Sequence, residues 1–121
     1  EKFDDESSNI TYKSYSGDFK NDLENAYCLI STAGHQLLSE SISIEIPVYL
    51  IPLSTYEQNY NARMIEKYDL GKIADNITNT EINQFIDKVP DYKRNIVDFK
   101  GKYYKNNWEK VLLKIIEDLK V

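Results

Sequence analysis

The stretch "AYCLISTAGHQLLSESISIEIPVYLIP" (residues 26–52) decides the fold class. Its ends, 26–32 and 47–52, are continuous apolar runs of strand length. Strands apolar on both faces belong to parallel sheets covered by helices on each side. The segment between them, 35–44, is too long for a hairpin loop and places Leu37, Leu38, Ser41, Ile42 and Ile44 on one helical face. Strand, helix and strand in this order predict a right-handed crossover and an α/β domain.

The same alternation extends outward. "ITYKSY" (10–15) alternates and is rich in β-branched and aromatic residues, which predicts a short strand. Asp18 caps a predicted helix over 18–26, with Phe19 and Leu23 on one face. A third helix is expected over 56–69, where Tyr60, Met64 and Tyr68 are spaced by four, with Gly71 as its stop. A brief strand at 71–75 follows, then a helix over 79–88 and a closing helical region broken near Gly101. The last piece, 107–119, is amphipathic through Trp108, Val111, Leu112, Ile115, Ile116 and Leu119. The expected sheet is short, mainly parallel and of about four strands.

Composition narrows the class. A chain of 121 residues is one domain, and 41% hydrophobic with 29% charged residues is ordinary for a globular protein. The net charge of -5, without a basic block, argues against a nucleic-acid surface. The longest apolar run, Ile46 to Leu53, falls far short of the roughly 20 residues of a membrane span, so no transmembrane segment is expected. The single Cys28 lies inside an apolar run and reads as a buried, reduced thiol, which fits a cytoplasmic location. Residues 1–9, "EKFDDESSN", read as a polar N-terminal end or linker ahead of a domain over 10–121. The chain is therefore expected to be a piece of a longer protein.

Chemistry concentrates where the first buried strand meets its helix. In open α/β sheets, ligands bind outside the carboxyl ends of the strands. The loop 31–36 lies at such an end and feeds a helix N-terminus, whose unpaired N–H groups favour a phosphate or carboxylate. Ser31 and Thr32 offer hydroxyls, Gly34 lets an oxygen approach the main chain, and His35 offers a ring nitrogen. From the loop alone, a plain turn with a solvent-facing histidine accounts for these residues equally well. Glu40, at the border of the apolar stripe, reads either as a solvated carboxylate or as an acceptor for a pair of sugar hydroxyls. The next strand delivers Glu57, Gln58, Asn59 and Asn61 at the same kind of edge, donors and acceptors suited to a hydroxyl-rich ligand.

Several spaced motifs agree in order over roughly residues 10–75: Gly34, Ser39-Glu40, Ile46-Pro47, Ile51-Pro52, Glu57-Gln58 and Asn61-Ala62. Together they resemble the nucleotide-sugar-binding half of GT-B glycosyltransferases. The nearest likeness is to the branch of family 28-type transferases containing the bacterial enzyme that makes the lipid-linked peptidoglycan precursor. The resemblance implies a partial, truncated Rossmann-like donor-binding domain over 10–121 and a nucleotide-sugar donor, expected to be a UDP-sugar.

It also implies roles for particular residues. The helix from Gly34 faces the donor diphosphate, with Thr32, His35 and Gln36 around it. Glu40 holds the ribose, Glu57 and Gln58 contact the transferred sugar, and Tyr15 and Ser16 cradle the base. Gln36 and Leu37 stand where the family has small residues or threonine, and Glu57 departs from the family's polar pair.

A full donor domain of this family begins with two further strands and a glycine-rich loop, and its acceptor domain precedes them. The fragment alone is therefore expected to be inactive and to need the missing acceptor domain or a partner chain. Without those strands, the edge at 27–32 should recruit either "ITYKSY" or a second copy, as in a homodimer. No strand-ending Asp-x-Asp is present, so no metal is expected. No cofactor is expected either, and no catalytic residue is assigned. The alternative is a non-catalytic subunit or interaction domain completed by a partner chain.

Overall fold

In the computed structural model, which describes residues 9–13, 19–103 and Glu117, helices and strands alternate along the chain. The order is α1 (Phe19–Glu24), β1 (Leu29–Ser31), α2 (His35–Ser43), β2 (Val48–Leu50), α3 (Tyr56–Lys67), β3 (Gly71–Ile73), α4 (Asn79–Asp87) and α5 (Val89–Tyr103). The strands form one parallel sheet in the order β1-β2-β3. Leu29 pairs with Val48, and Val48 with Gly71. Each crossover runs through a helix, as parallel pairing requires.

β2 is buried along its whole length, and its residues divide between two cores. Val48 and Leu50 pack with Leu38 and Ile42 of α2, Met64 and Ile65 of α3, and Ile96 and Phe99 of α5. Tyr49, on the opposite face, packs with Phe85, Val89 and Tyr92 from α4 and α5. A strand covered on both sides has no polar face, which is why residues 47–52 read as an unbroken apolar run.

Two expectations are corrected. The described sheet has three strands rather than about four. Residues 10–13 form no strand pairing, while 14 and 15 lie outside the described residues. Ile10 and Tyr12 are 47% and 54% exposed, and Lys13 is tied to Asp22 of α1 at 2.8 Å. An alternating pattern makes a strand only where one face finds a sheet to join, and among the described residues none pairs with 10–13. Among the described residues β1 is an edge, with Ile30 50% exposed.

α5 runs through Gly101 to Tyr103, and residues 104–106, where the break expected near Gly101 would fall, lie outside the described residues. A side chain at 101 would meet open space, so this glycine costs only its propensity of about 1 kcal/mol, which the burial of Ile96 and Phe99 offsets. The amphipathic stretch 107–119 lies outside the described residues, except for helical Glu117.

Gly71 does not stop α3. The helix ends in a Schellman motif at Asp69 (φ 55°), where Leu70 N–H donates to the Ile65 carbonyl and Asp69 N–H to that of Glu66. Gly71 instead opens β3 against β2, where an added Cβ would stand 2.2 Å from the Val48 carbonyl oxygen. α2 ends in the same way at Glu45 (φ 65°), with Ile46 N–H on the Ser41 carbonyl.

α5 holds both left-handed residues. Asn95 Nδ2 donates to the Asp69 carbonyl at 2.8 Å, and Lys100 Nζ donates to the Ser43 carbonyl at 2.7 Å and to Glu45 Oε2 at 3.1 Å. Cys28 is a free, half-buried thiol whose pKa is raised by burial. Among the described residues, no helix is long and apolar enough to cross a membrane.

Candidate functional site

Beyond β1 the chain turns through Thr32, Ala33 and Gly34 into α2. Ala33 is fully buried, and two side chains of α3 fix its peptide groups. Its N–H donates to Gln58 Oε1 at 3.0 Å, and its carbonyl accepts from Asn61 Nδ2 at 2.6 Å. The same Gln58 oxygen accepts from Leu53 N–H at 2.9 Å, tying the exits of β1 and β2 together. Gln58 is itself positioned by α3's N-cap, because its N–H donates to Thr55 Oγ1.

Caps distinguish the helix starts. Thr55 and Thr78 close α3 and α4 with their hydroxyls. The N-cap of α2 is Gly34, with no side-chain cap and no acid in the first turn. Gly34 adopts an ordinary extended conformation (φ -67°, ψ 137°), so backbone geometry does not require glycine. A Cβ there would meet no atom of the described residues within 4 Å. The space beside the first-turn N–H groups is thus left open on the outside.

That space is a groove of about 650 Å³. Gly34, His35, Gln36, Glu40 and Glu57 line it, with Phe19 and Leu37 as its apolar wall. Helix-terminal N–H groups carry partial positive charge, whereas exposed Glu40 and Glu57 supply only acceptors. The groove is therefore polarised: one end suits an anion, and the carboxylates suit hydroxyls. His35 Nδ1 is buried without a hydrogen-bond partner among the described residues.

Of the residues singled out in the sequence, the fold brings Gly34, His35, Gln36, Glu40 and Glu57 to one groove. Gln58 is not among its lining residues, because its carbonyl oxygen is engaged by Ala33 and Leu53. Thr32 is exposed at the end of β1 and does not line the groove. Tyr15 and Ser16 lie outside the described residues. The part played by Asn61, 1% exposed, went unread in the sequence. Its position four residues after Glu57 in a helix otherwise burying Ala62, Met64 and Ile65 was the available signal. Among the described residues, no three His, Cys, Asp or Glu side chains group as a metal site.

Residues 2–90 match a family model described as Glycosyl transferase family 1. No curated protein and no solved structure matches the chain.

Proposed function

Because the chain belongs to glycosyl transferase family 1, we propose that its groove at the head of α2 binds the donor of a sugar transfer, a nucleotide-sugar of the UDP type. The observation that carries this reading is the uncapped start of α2 opening on a groove flanked by two carboxylates and a histidine. In a direct displacement, negative charge grows on the departing nucleoside diphosphate. Preoriented N–H groups at a helix start stabilise that charge without reorganising. His35 adds a donor from its second ring nitrogen. Glu40, just over one turn further along α2, accepts from a pair of ribose hydroxyls. Glu57, reaching in from α3, accepts from hydroxyls of the transferred sugar.

Gln58 and Asn61 act through Ala33, holding the loop that aims these N–H groups. The test is titration of the 121-residue chain with UDP, followed by nuclear magnetic resonance. Shifts confined to Gly34, His35, Gln36 and Glu40 support the reading, and an unchanged spectrum at millimolar UDP rejects it. The finer likeness to the peptidoglycan-precursor branch and the inactivity of this chain alone belong to the same proposal. Sugar release from UDP-N-acetylglucosamine by this chain alone would reject the inactivity, and tighter binding of UDP-N-acetylglucosamine than of UDP-glucose in the same titration tests the likeness.

The exposure of Ile30 on the edge strand and of Tyr27 just before it (50% and 60%) favours a second reading, in which a partner chain or a second copy covers β1. Light scattering that finds only monomer, at concentrations where Ile30 exchanges its amide freely, removes the second copy from that reading.

A further inference from the structure

α3 separates the donor groove from a second recess. Glu57 lines the groove, and its neighbour Tyr56 lines the other side, a pocket of about 330 Å³ bounded by Pro52, Asn59, Tyr60, Arg63 and Ile73. Pro52 follows β2 and Ile73 ends β3, so this pocket also opens at the carboxyl ends of parallel strands, where α/β sheets take ligands.

Tyr56 is 82% exposed, the largest exposure among the large hydrophobic side chains of the described residues. It is nevertheless held, because its ring stacks on Tyr60 with centroids 6.2 Å apart and planes 20° from parallel. Arg63 lies over the Tyr60 ring at 5.8 Å, and its guanidinium forms no ion pair among the described residues. Tyr56, Tyr60 and Arg63 follow one another at helical spacings of four and three, so they form a ledge roughly 10 Å long, with an aromatic face at one end and a fixed positive charge at the other. Asn59 adds an amide that both donates and accepts.

A flat, apolar ring face next to hydroxyl-pairing groups and one cation is complementary to a pyranose bearing an anionic substituent. The sugar's C–H face covers Tyr56, its hydroxyls meet Asn59, and its charge pairs with Arg63 through a forked hydrogen bond. We infer that the Tyr56–Tyr60–Arg63 ledge is a second saccharide subsite, separate from the donor groove, for a sugar ring carrying a negative charge. The choice of a sugar over another flat anion rests on the sugar-transfer reading; the aromatic and cationic chemistry does not.

The test titrates the isotope-labelled 121-residue chain separately with glucose 1-phosphate, glucose and inorganic phosphate. Glucose 1-phosphate is expected to shift Tyr56, Asn59 and Arg63, glucose to do so more weakly, and phosphate to leave Tyr56 unmoved. Tyr56→Ala should weaken glucose 1-phosphate by about fivefold and Arg63→Ala by about tenfold or more, whereas Tyr56→Phe should bind as the wild type does. Both positions are exposed, so the variants keep the fold. No response at Tyr56, an equal response to phosphate alone, or unchanged affinity in Tyr56→Ala would overturn the assignment. Failure of the donor reading shows elsewhere, as silence of Gly34 and His35 toward UDP while Tyr56 still answers glucose 1-phosphate.

Discussion

Asn61 Nδ2 donates to the carbonyl of Ala33 at 2.6 Å, across 28 residues of sequence, and both residues are buried. The bond joins the loop at the end of β1 to the interior of α3. It sets where α2 begins, and so where that helix's N–H groups point. Replacing Asn61 by Ala removes the donor and leaves a buried carbonyl unpaired, a loss of about 1–3 kcal/mol. Asn61→Asp is nearly isosteric but sets oxygen against oxygen, so its loss should exceed that of Ala at neutral pH. Urea denaturation of the three proteins checks the order.

Two glycines should respond oppositely to alanine. Gly71→Ala drives a methyl into the Val48 carbonyl and should cost about 3 kcal/mol or more, read as a lower denaturation midpoint. Gly34→Ala projects its methyl into open space and should change stability by no more than about 1 kcal/mol, since lost unfolded-state entropy and a poorer N-cap oppose each other. Its effect should appear in UDP affinity, reduced by about 1–2 kcal/mol as the methyl keeps the anion from the N–H groups.

Glu40→Ala should weaken UDP by about 1–3 kcal/mol, the range for a charged hydrogen-bond acceptor lost from a ligand. Because Glu40 is exposed at the groove wall, the denaturation midpoint should stay in place. Calorimetry with UDP, beside a melt of the same sample, separates the two effects.

Lys100 closes the carboxyl end of α2 by bonding the Ser43 carbonyl and Glu45. Lys100→Met keeps the aliphatic stem and removes the cation. A loss of about 1–2 kcal/mol is expected, with part of it vanishing at high salt as the Glu45 component is screened. Urea melts in low and molar salt resolve the two components.

The Glu81 carboxyl is held below its ordinary value of 4.5, first by the hydrogen bond from Asp75 N–H, with Asn76 N–H adding to it and burial opposing. A depressed folded pKa means that stability is fully present above the unfolded value and is lost as pH falls through the folded one. Glu81→Gln cannot titrate. The wild type should therefore lose more stability than the variant between about pH 6 and about pH 3, and denaturation midpoints across that range test the sign.

The alternation of elements was legible because burial on both faces of β2 left no polar residue at 48–50, and a continuous apolar run states that directly. The groove was legible in part. Gly34, His35 and Glu40 sit within one strand-to-helix connection, so local order alone brings them together, and Glu57 follows the next strand by the same rule. Two outcomes needed the tertiary structure. Gln58 and Glu57 are adjacent polar residues in sequence, but successive side chains on a helix point about 100° apart, which sends one to Ala33 and the other to the groove. The strand expected at 10–15 failed within 10–13 because alternation specifies only a face, and whether a sheet stands ready to receive that face is decided by the packing of residues far away in the chain.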